Sequence, residues 1–451
     1  MKKALHLASL AAALLLAAPA TAQDYTEGAN TYIITEAGEH SFLPVHVDGT
    51  AINIASADWL WAEKDPTDTE QQIISDVRLA DDGTVHFTYS GSREGNALIA
   101  GFDANGTIVW NWLIWCTDRP IDVKMDQGSY FQDRLLGAVG SSQDGVTDHA
   151  HPEAWSPLGW QWGRAVPTFN GYNQEYTAMT EPQKYTQINP AYADLHAWKA
   201  DLTQAVSIET ATANPTVFYN DAGNTDNWYT SDDNTLWSAD EKTNYDPCPE
   251  GYKVPDQDDF GNFGTVAELT SIYGFTYTNS DGETQWWRGC GSGRHYEDAK
   301  YDAVASANST PIYYHLSDMY TGWGTPYPKR LLLQTDPSAM KFTPFSGGLR
   351  CASYNVRCVR YKGDPVTAVK RVDAAADLSI RASEDRVDAF FPAGQYTRLA
   401  IVDAAGRTLK TVAVPAASTQ LSISLPPTVR GFYMVKAQSG RRAVAKKLVR
   451  P

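Results

Sequence analysis

Short runs of alternating apolar and polar residues, separated by Asp-Gly and Asn-Gly turns, dominate the first 120 residues. The segments LADDGTVHFTYSG and FDANGTIVWNWLIW show the pattern. A period of two is typical of strands with one buried face, and these dipeptides are typical of tight hairpin turns. Helical character is confined to 189–211 and part of 256–273. The sequence therefore predicts a mainly β chain with some α structure.

The first 23 residues have the pattern of a secretory signal peptide. Lys2 and Lys3 precede an apolar run over 4–18, and the small residues Ala-Thr-Ala follow at 20–22. This order of basic, apolar and small residues is read by the export machinery. The run is too short to cross a bilayer, and no later segment is apolar enough, so we predict no transmembrane segment. We expect an exported protein, in which disulfides can form.

Charge is spread unevenly along the chain, whose net charge is −16. Residues 366–451 hold 14 Lys and Arg against 6 Asp and Glu, a balance of +8, which leaves −24 for the remainder. Such a break predicts a domain boundary near residue 366. An acidic body argues against nucleic acid as a partner, because the phosphate backbone is bound by Lys and Arg.

The chain divides by composition into three folded parts after the signal peptide. Residues 24–120 have the alternation of an Ig-like β-sandwich, whereas 121–362 are rich in Trp, Tyr, Asn, Asp and Gly, with long irregular stretches. Residues 363–377 resemble a linker. The short strands of 378–451 then predict a second Ig-like β-sandwich.

Six motifs in the middle part occur in a recognisable order. They are DRLLGA (133–138), GWQWGR (159–164), NPTVFY (214–219), NWYTSDDNTLW (227–237), YDPCPEGYKVP (245–255) and NVRCVRY (355–361). Together they resemble the Fibrobacter succinogenes major paralogous domain (FISUMP) family, in the form found in exported proteins of Bacteroidota. The resemblance implies that 121–362 has a C-type lectin-like α+β fold, related to the formylglycine-generating enzymes.

The same resemblance implies a disulfide between Cys248 and Cys358. Closing a loop of about 110 residues stabilises a fold by nearly 5 kcal/mol in the chain-entropy model. Cys290 and Cys351 lie in glycine-rich segments and are candidates for a second bridge. Cys116, in an alternating Trp-rich strand, is expected to be a buried free thiol. From the residues alone, five cysteines allow fifteen two-bridge arrangements.

The C-terminal part carries the motifs DAAGR (403–407), GFYMVK (431–436) and KKLVR (446–450). They resemble the C-terminal sorting domain of type IX secretion, with Gly406 and Gly431 at turns and Lys446 and Lys447 as the basic signal. This resemblance implies passage across the outer membrane and a partner in the type IX machinery. The alternative is an ordinary Ig-like domain.

Two segments of the middle part combine aromatic and glycine residues, namely 284–296 and 318–330. In a lectin-like fold they belong to the long-loop surface, where aromatic rings can stack on the apolar faces of sugars. The ligand-binding candidates are Trp286, Trp287, Tyr320, Trp323 and Tyr327. The alternative for each of them is a place in the core. We predict that Trp286, Trp287 and Trp323 lie together on the loop side.

These features predict a cell-surface or secreted binding protein without catalysis, either an adhesin or a glycan binder. Its partner would be a surface glycan or a surface protein of a host or another bacterium. A structural or tip component of fimbriae is the alternative, and a polysaccharide hydrolase comes third.

No catalytic residue can be carried over from the related enzymes, and no phosphate loop, GxSxG or HExxH motif occurs. We therefore predict no catalytic or metal site and no cofactor, with calcium as the one possible exception. The acidic segments DQDDF (256–260) and SDDN (231–234) offer oxygen ligands, but without the spacing of a known calcium loop. The alternative is that the acids of 256–260 cap a helix.

Overall fold

The chain folds into two compact units, residues 1–363 and 364–451. The computed structural model describes residues 23–25, 27–64, 72–141, 158–169, 186–194, 199–261, 266–271, 274–288, 310–321, 326–336, 339–361, 379–382, 386–391, 396, 398–403, 408–415, 418–424, 431–439 and 442–450. The predicted signal sequence up to residue 22 and the predicted linker from 363 to 377 lie outside these ranges.

The first unit begins with two sheets. Their strands are β1 (Gln23–Tyr25), β2 (Thr31–Ile34), β3 (Gly38–Phe42), β4 (Ser56–Glu63), β5 (Ile74–Leu79), β6 (Val85–Tyr89), β7 (Gly95–Phe102), β8 (Ile108–Cys116) and, from later in the chain, β13 (Thr186–Ile188). The strand orders are β1-β3-β6-β5 and β13-β4-β7-β8-β2. The two sheets face each other, and the rings of Phe42 and Trp112 meet between them with centroids 5.0 Å apart.

The five-stranded sheet is buried on both faces. Ile99, Trp112 and Cys116 point to the four-stranded sheet. Leu98 and Trp115, on the opposite face, join a second core with residues from the middle of the chain. A sheet covered on both sides needs strands that are apolar on both faces, which explains the run IVWNWLIWC of β8, in which Asn111 is the one polar residue.

The remaining strands that the structure describes in the first unit form five small sheets. They are β9 (Asp122–Lys124), β10 (Tyr130–Gln132), β11 (Leu158–Gln161), β12 (Thr168–Phe169), β14 (Lys199–Asp201), β15 (Thr203–Gln204), β16 (Val217–Asp221), β17 (Tyr252–Lys253), β18 (Val266–Ser271), β19 (Gly274–Thr278), β20 (Thr284–Arg288), β21 (Thr310–Tyr320), β22 (Tyr327–Asp336), β23 (Ala339–Gly347), β24 (Ser353–Tyr354) and β25 (Val359–Arg360). Their orders are β17-β25-β10-β9, β12-β11-β24, β14-β16-β15, β18-β19-β20 and β21-β22-β23.

Helices are fewer than the sequence predicts. A 3-10 turn (Pro190–Tyr192), α1 (Ile208–Ala213) and α2 (Gln257–Phe260) are the helical segments of the described ranges. Within 189–211, residues 190–192 and 208–211 are helical, whereas 199–201 and 203–204 are extended because β14 and β15 both pair with β16. In the second predicted region, α2 confirms a helix in part of 256–273, whereas 266–271 is a strand. None of the helices in the described ranges is long and apolar enough to span a bilayer.

Cys248 and Cys358 are joined by a disulfide, as the family resemblance implies. The residues before Cys248 also contact β2, where the Thr31 hydroxyl donates to the Pro247 carbonyl at 2.7 Å. Cys116 is a buried free thiol, as expected. Cys351 is also free and buried, so the structure lacks the second bridge predicted for it. Its suggested partner, Cys290, lies outside the described residues.

The second unit contains two sheets. The strands are β26 (Ser379–Ala382), β27 (Arg386–Phe390), β28 (Arg398–Asp403), β29 (Thr408–Ala413), β30 (Gln420–Ser424), β31 (Gly431–Ser439) and β32 (Arg442–Arg450), in the orders β26-β27-β30 and β29-β28-β31-β32. Val387, Leu399 and Val435 contribute to their shared core.

The residues of the predicted sorting signal lie in or near the last two strands. Gly431 pairs with Arg450 at the end of β31, while Lys446 and Lys447 are in β32. Gly406 lies outside the described residues. The sorting role itself stays a prediction.

A polar cleft as the candidate functional site

Trp287 is a core residue, which corrects the prediction of an exposed platform there. Its side chain is fully buried. The ring packs 5.4 Å from that of Phe131 and 5.8 Å from that of Phe260, and the Arg357 guanidinium lies 3.7 Å above it. Trp286, the residue before it on β20, is half-buried. Neighbouring residues of a strand point to opposite faces, so the two tryptophans do not form one platform.

Tyr320 and Tyr327 are directly opposite each other at the end of the β21–β22 hairpin. Both are half-buried. Trp323, in the connection between them, lies outside the described residues, so its predicted place beside the other tryptophans stays a prediction. The structure thus pairs two of the five aromatic candidates across one hairpin.

Tyr327 also lines an open cleft of about 780 Å³. Its walls come from three segments, 203–205, 221–234 and 326–327, together with Arg350. We call this space the polar cleft, since most of its lining residues carry a hydroxyl, amide or carboxylate group. Its volume is within the range of about 300–1,000 Å³ that is usual for small-molecule sites.

One wall of the polar cleft is a tight turn that begins at the end of β16. The Asp221 carboxylate accepts hydrogen bonds from Asn224 Nδ2 at 2.7 Å and from the Thr225 hydroxyl at 3.0 Å. Asp226 has a φ of 48°, a left-handed conformation that Asp tolerates better than most residues. Its Oδ1 accepts from the Gly223 amide at 3.0 Å. The turn is therefore fixed by its own side chains.

The next residues tie this wall to the core. The buried Trp228 donates from its indole nitrogen to the Trp162 carbonyl at 2.8 Å. Around it, the Val206 amide donates to the Trp228 carbonyl at 2.8 Å and the Thr230 amide to the Val206 carbonyl at 3.0 Å. Segments 203–205 and 228–230 are thereby held in one fixed arrangement.

Arg350 fixes the segment 231–234. Its side chain donates to the Ser231 carbonyl at 3.2 Å and makes a second, short bond to Asn234 Oδ1. The guanidinium also lies 5.3 Å from the centre of the Trp162 ring. Only 7% of this arginine is exposed. Because both of these hydrogen bonds are made to protein atoms, we infer that Arg350 holds the wall in position.

Burial and the neighbouring carboxylates shift the pKa of Arg350 in opposite directions. Burial lowers the pKa of its guanidinium, and the carboxylates of Asp232 and Asp233 counteract that shift. The Asp233 carboxylate accepts from the Thr235 amide at 2.7 Å and caps its own turn. Asp232, by contrast, is exposed and makes no hydrogen bond with another residue of the described ranges.

The acidic residues of 256–260 serve the start of α2. Asp256 accepts from the Asp259 amide at 3.0 Å, and Asp259 accepts from the Asp256 amide at 3.1 Å, which forms a capping box. Lys253 Nζ lies 3.0 Å from a carboxylate oxygen of each. This geometry corresponds to the capping alternative. Within the described part of the chain, no group of three or more His, Cys, Asp or Glu is placed to hold a metal.

Most of the cleft was not foreseen from the sequence. No sequence motif marks Arg350 as a site residue, and 231–234 is predicted only as part of a family motif and as a set of oxygen ligands for calcium. The density of turn-forming and hydroxyl residues in NWYTSDDNT was the available signal, because such residues build rigid polar loops.

Comparison with known proteins adds little to these observations. No family model matches the chain, and no curated protein matches it. Among solved structures, a chain titled "Biofilm associated protein - BSP domain" is similar at 10% identity with a TM-score of 0.14, over 88% of this chain and 57% of that one. The chain thus spans little more than half the length of that structure. A similarity this distant identifies neither a fold nor a function.

Proposed function

We propose that this protein is exported and binds glycans without catalysis, at the cell surface or after secretion, and that the polar cleft is its binding site. The observation that carries the proposal is the position of Tyr327. This sequence-predicted aromatic lines an open cleft rich in hydroxyl and amide groups. A ring beside convergent polar groups suits a sugar, which has apolar faces and a polar rim.

The rigidity of the walls supports the same proposal. The turn at 221–227, the Trp228 anchor and the Arg350 bonds all form within the protein. A site whose polar groups are fixed before binding loses less conformational freedom when the ligand enters. This smaller entropic cost matters for a sugar, because few contacts are available to offset it.

Export is supported by the buried Cys248–Cys358 disulfide, since such bonds persist in oxidising compartments. The signal-peptide pattern at residues 1–23 points in the same direction. We further propose that 24–120 is an Ig-like sandwich, that 121–362 is a lectin-like domain of the FISUMP type, and that 378–451 is a type IX sorting domain.

A glycan array probed with the purified protein tests the proposal. We expect a restricted set of sugars to bind, and expect Tyr327→Ala to weaken those signals at least tenfold, a loss typical of a binding hot spot. The matched control is Tyr130→Ala, which removes a tyrosine that is 37% exposed and lies outside the cleft. Absence of any bound glycan, or equal losses in the two variants, would contradict the proposal.

A further inference from the structure

The lining of the polar cleft has an excess of negative charge. Asp221, Asp226 and Asp232 contribute carboxylates, and Arg350 contributes the single guanidinium among the lining residues of the described ranges. Three negative groups against one positive group leave a formal charge of −2. A concave surface with one sign of charge focuses its field on the enclosed space.

Arg350 is poorly placed to bind an acidic ligand. Recognition of a carboxylate or sulfate by arginine normally uses two free N–H groups in a fork. Here Nη1 donates to the Ser231 carbonyl and Nη2 to Asn234 Oδ1, and 7% of the residue is exposed. With so little of the residue exposed, few of its N–H groups are accessible to an acidic sugar.

Asp232 is the carboxylate best placed to meet a ligand. Asp221 Oδ2 and Asp226 Oδ1 already accept hydrogen bonds within their turn. Asp232 is exposed, lines the cleft and makes no such bond within the described residues. A carboxylate with free oxygens beside hydroxyl and amide groups can accept hydrogen bonds from an ammonium group of a sugar.

On the basis of the proposed function, we infer that the polar cleft selects sugars with a free amino group over their N-acetylated and acidic counterparts. Tyr229, Tyr327 and the amide side chains of the lining bind the sugar ring that these ligands share. Asp232 distinguishes the substituent on that ring. An exposed ion pair changes an equilibrium constant by up to about fivefold, and like charges reverse the sign. We therefore expect about fivefold tighter binding of the amino sugar than of the N-acetyl sugar, and weaker binding of the uronate.

The test is calorimetric titration of the full protein with glucosamine, N-acetylglucosamine and glucuronic acid oligomers of equal length and linkage. At about pH 5.5 the sugar amine is protonated. Asp232→Asn should abolish the preference for the amine but retain binding of the N-acetyl oligomer. Asp240→Asn removes an exposed acid outside the cleft and should leave the preference unchanged. Raising the salt concentration should also weaken the preference, because it screens exposed charges.

The outcomes separate the two proposals. If no oligomer binds, the glycan-binding function fails, and the selectivity fails with it. If oligomers bind but the uronate binds as tightly as the amino sugar, the charge argument alone is overturned. The same holds if Asp232→Asn keeps the full preference for the amine.

Discussion

Replacing Trp287 by Ala should destabilise the first unit strongly, although the sequence places this residue next to loop-like glycines. Trp287 is fully buried between Phe131, Phe260 and Tyr314, with ring centroids 5.4–5.8 Å away. Truncating a buried tryptophan costs about 3–5 kcal/mol through lost burial and the cavity left behind. The Arg357 guanidinium, 3.7 Å above the ring, also loses its cation–π contact. We therefore expect a loss near the upper end of that range.

The hydrogen bonds of Arg357 limit the damage. Its three nitrogens donate to the Gln132 carbonyl at 2.7 Å, the Trp286 carbonyl at 3.1 Å and Gln285 Oε1 at 2.8 Å. None of these bonds needs the indole, so the charge keeps its partners in the variant. The loss should consequently reflect the cavity and the missing ring contact rather than an unpaired buried ion.

Urea unfolding of the purified protein measures the effect, followed by intrinsic fluorescence and circular dichroism. Trp287→Phe keeps an aromatic ring over Phe131 and should lose clearly less than the Ala variant. Trp286→Ala is the matched control on the same strand, and its half-buried side chain should contribute less than half as much. If Trp287→Ala and Trp286→Ala were equally mild, the placement of Trp287 in the core would be refuted.

Two further predictions concern the disulfide and the tail. Cys358→Ser should lower the free energy of unfolding by about 2–5 kcal/mol in urea titrations. An unchanged unfolding midpoint would contradict the structural role of the disulfide. Thiol alkylation of the native wild-type protein should leave the buried Cys116 unmodified. Deleting 366–451, which lies in the second compact unit, should leave the first unit folded but prevent its appearance at the surface, as measured by cell fractionation. Normal surface amounts of the truncated protein would refute the sorting role of the tail.

Local patterns account for the strands and turns that could be predicted from the sequence. The alternation around Asn105-Gly106 foretells the β7–β8 hairpin, because period and turn chemistry both act over a few residues. The Cys248–Cys358 disulfide spans 110 positions. Its prediction came from the family resemblance, because no local pattern identifies a partner so distant in the sequence. The helix predicted over 189–211 is interrupted in its middle for a related reason. Pairing of β14 and β15 with β16 overrides a helical propensity that is only a weak preference.

The site was harder to predict because it depends on register and on distant contacts. In TQWWRG either tryptophan could face inward, and the choice is made by pairing with β19, where Trp287 is opposite Phe275 and Trp286 is opposite Thr276. The cleft likewise needs Arg350 to reach Ser231, which is 119 positions away. Neither relationship leaves a periodic signal in the chain.

The sheet buried on both faces explains how the first and middle parts of the chain depend on each other. Leu98 and Trp115 project from its outer face into the core that contains Trp160 and Cys248. Strand β13, from beyond residue 120, forms its edge by pairing with β4. Without the middle part, the outer face would present a contiguous apolar surface to water, which stable monomers rarely tolerate. The polar cleft is built on the middle part, so its fixed walls rest on a core that the N-terminal strands complete.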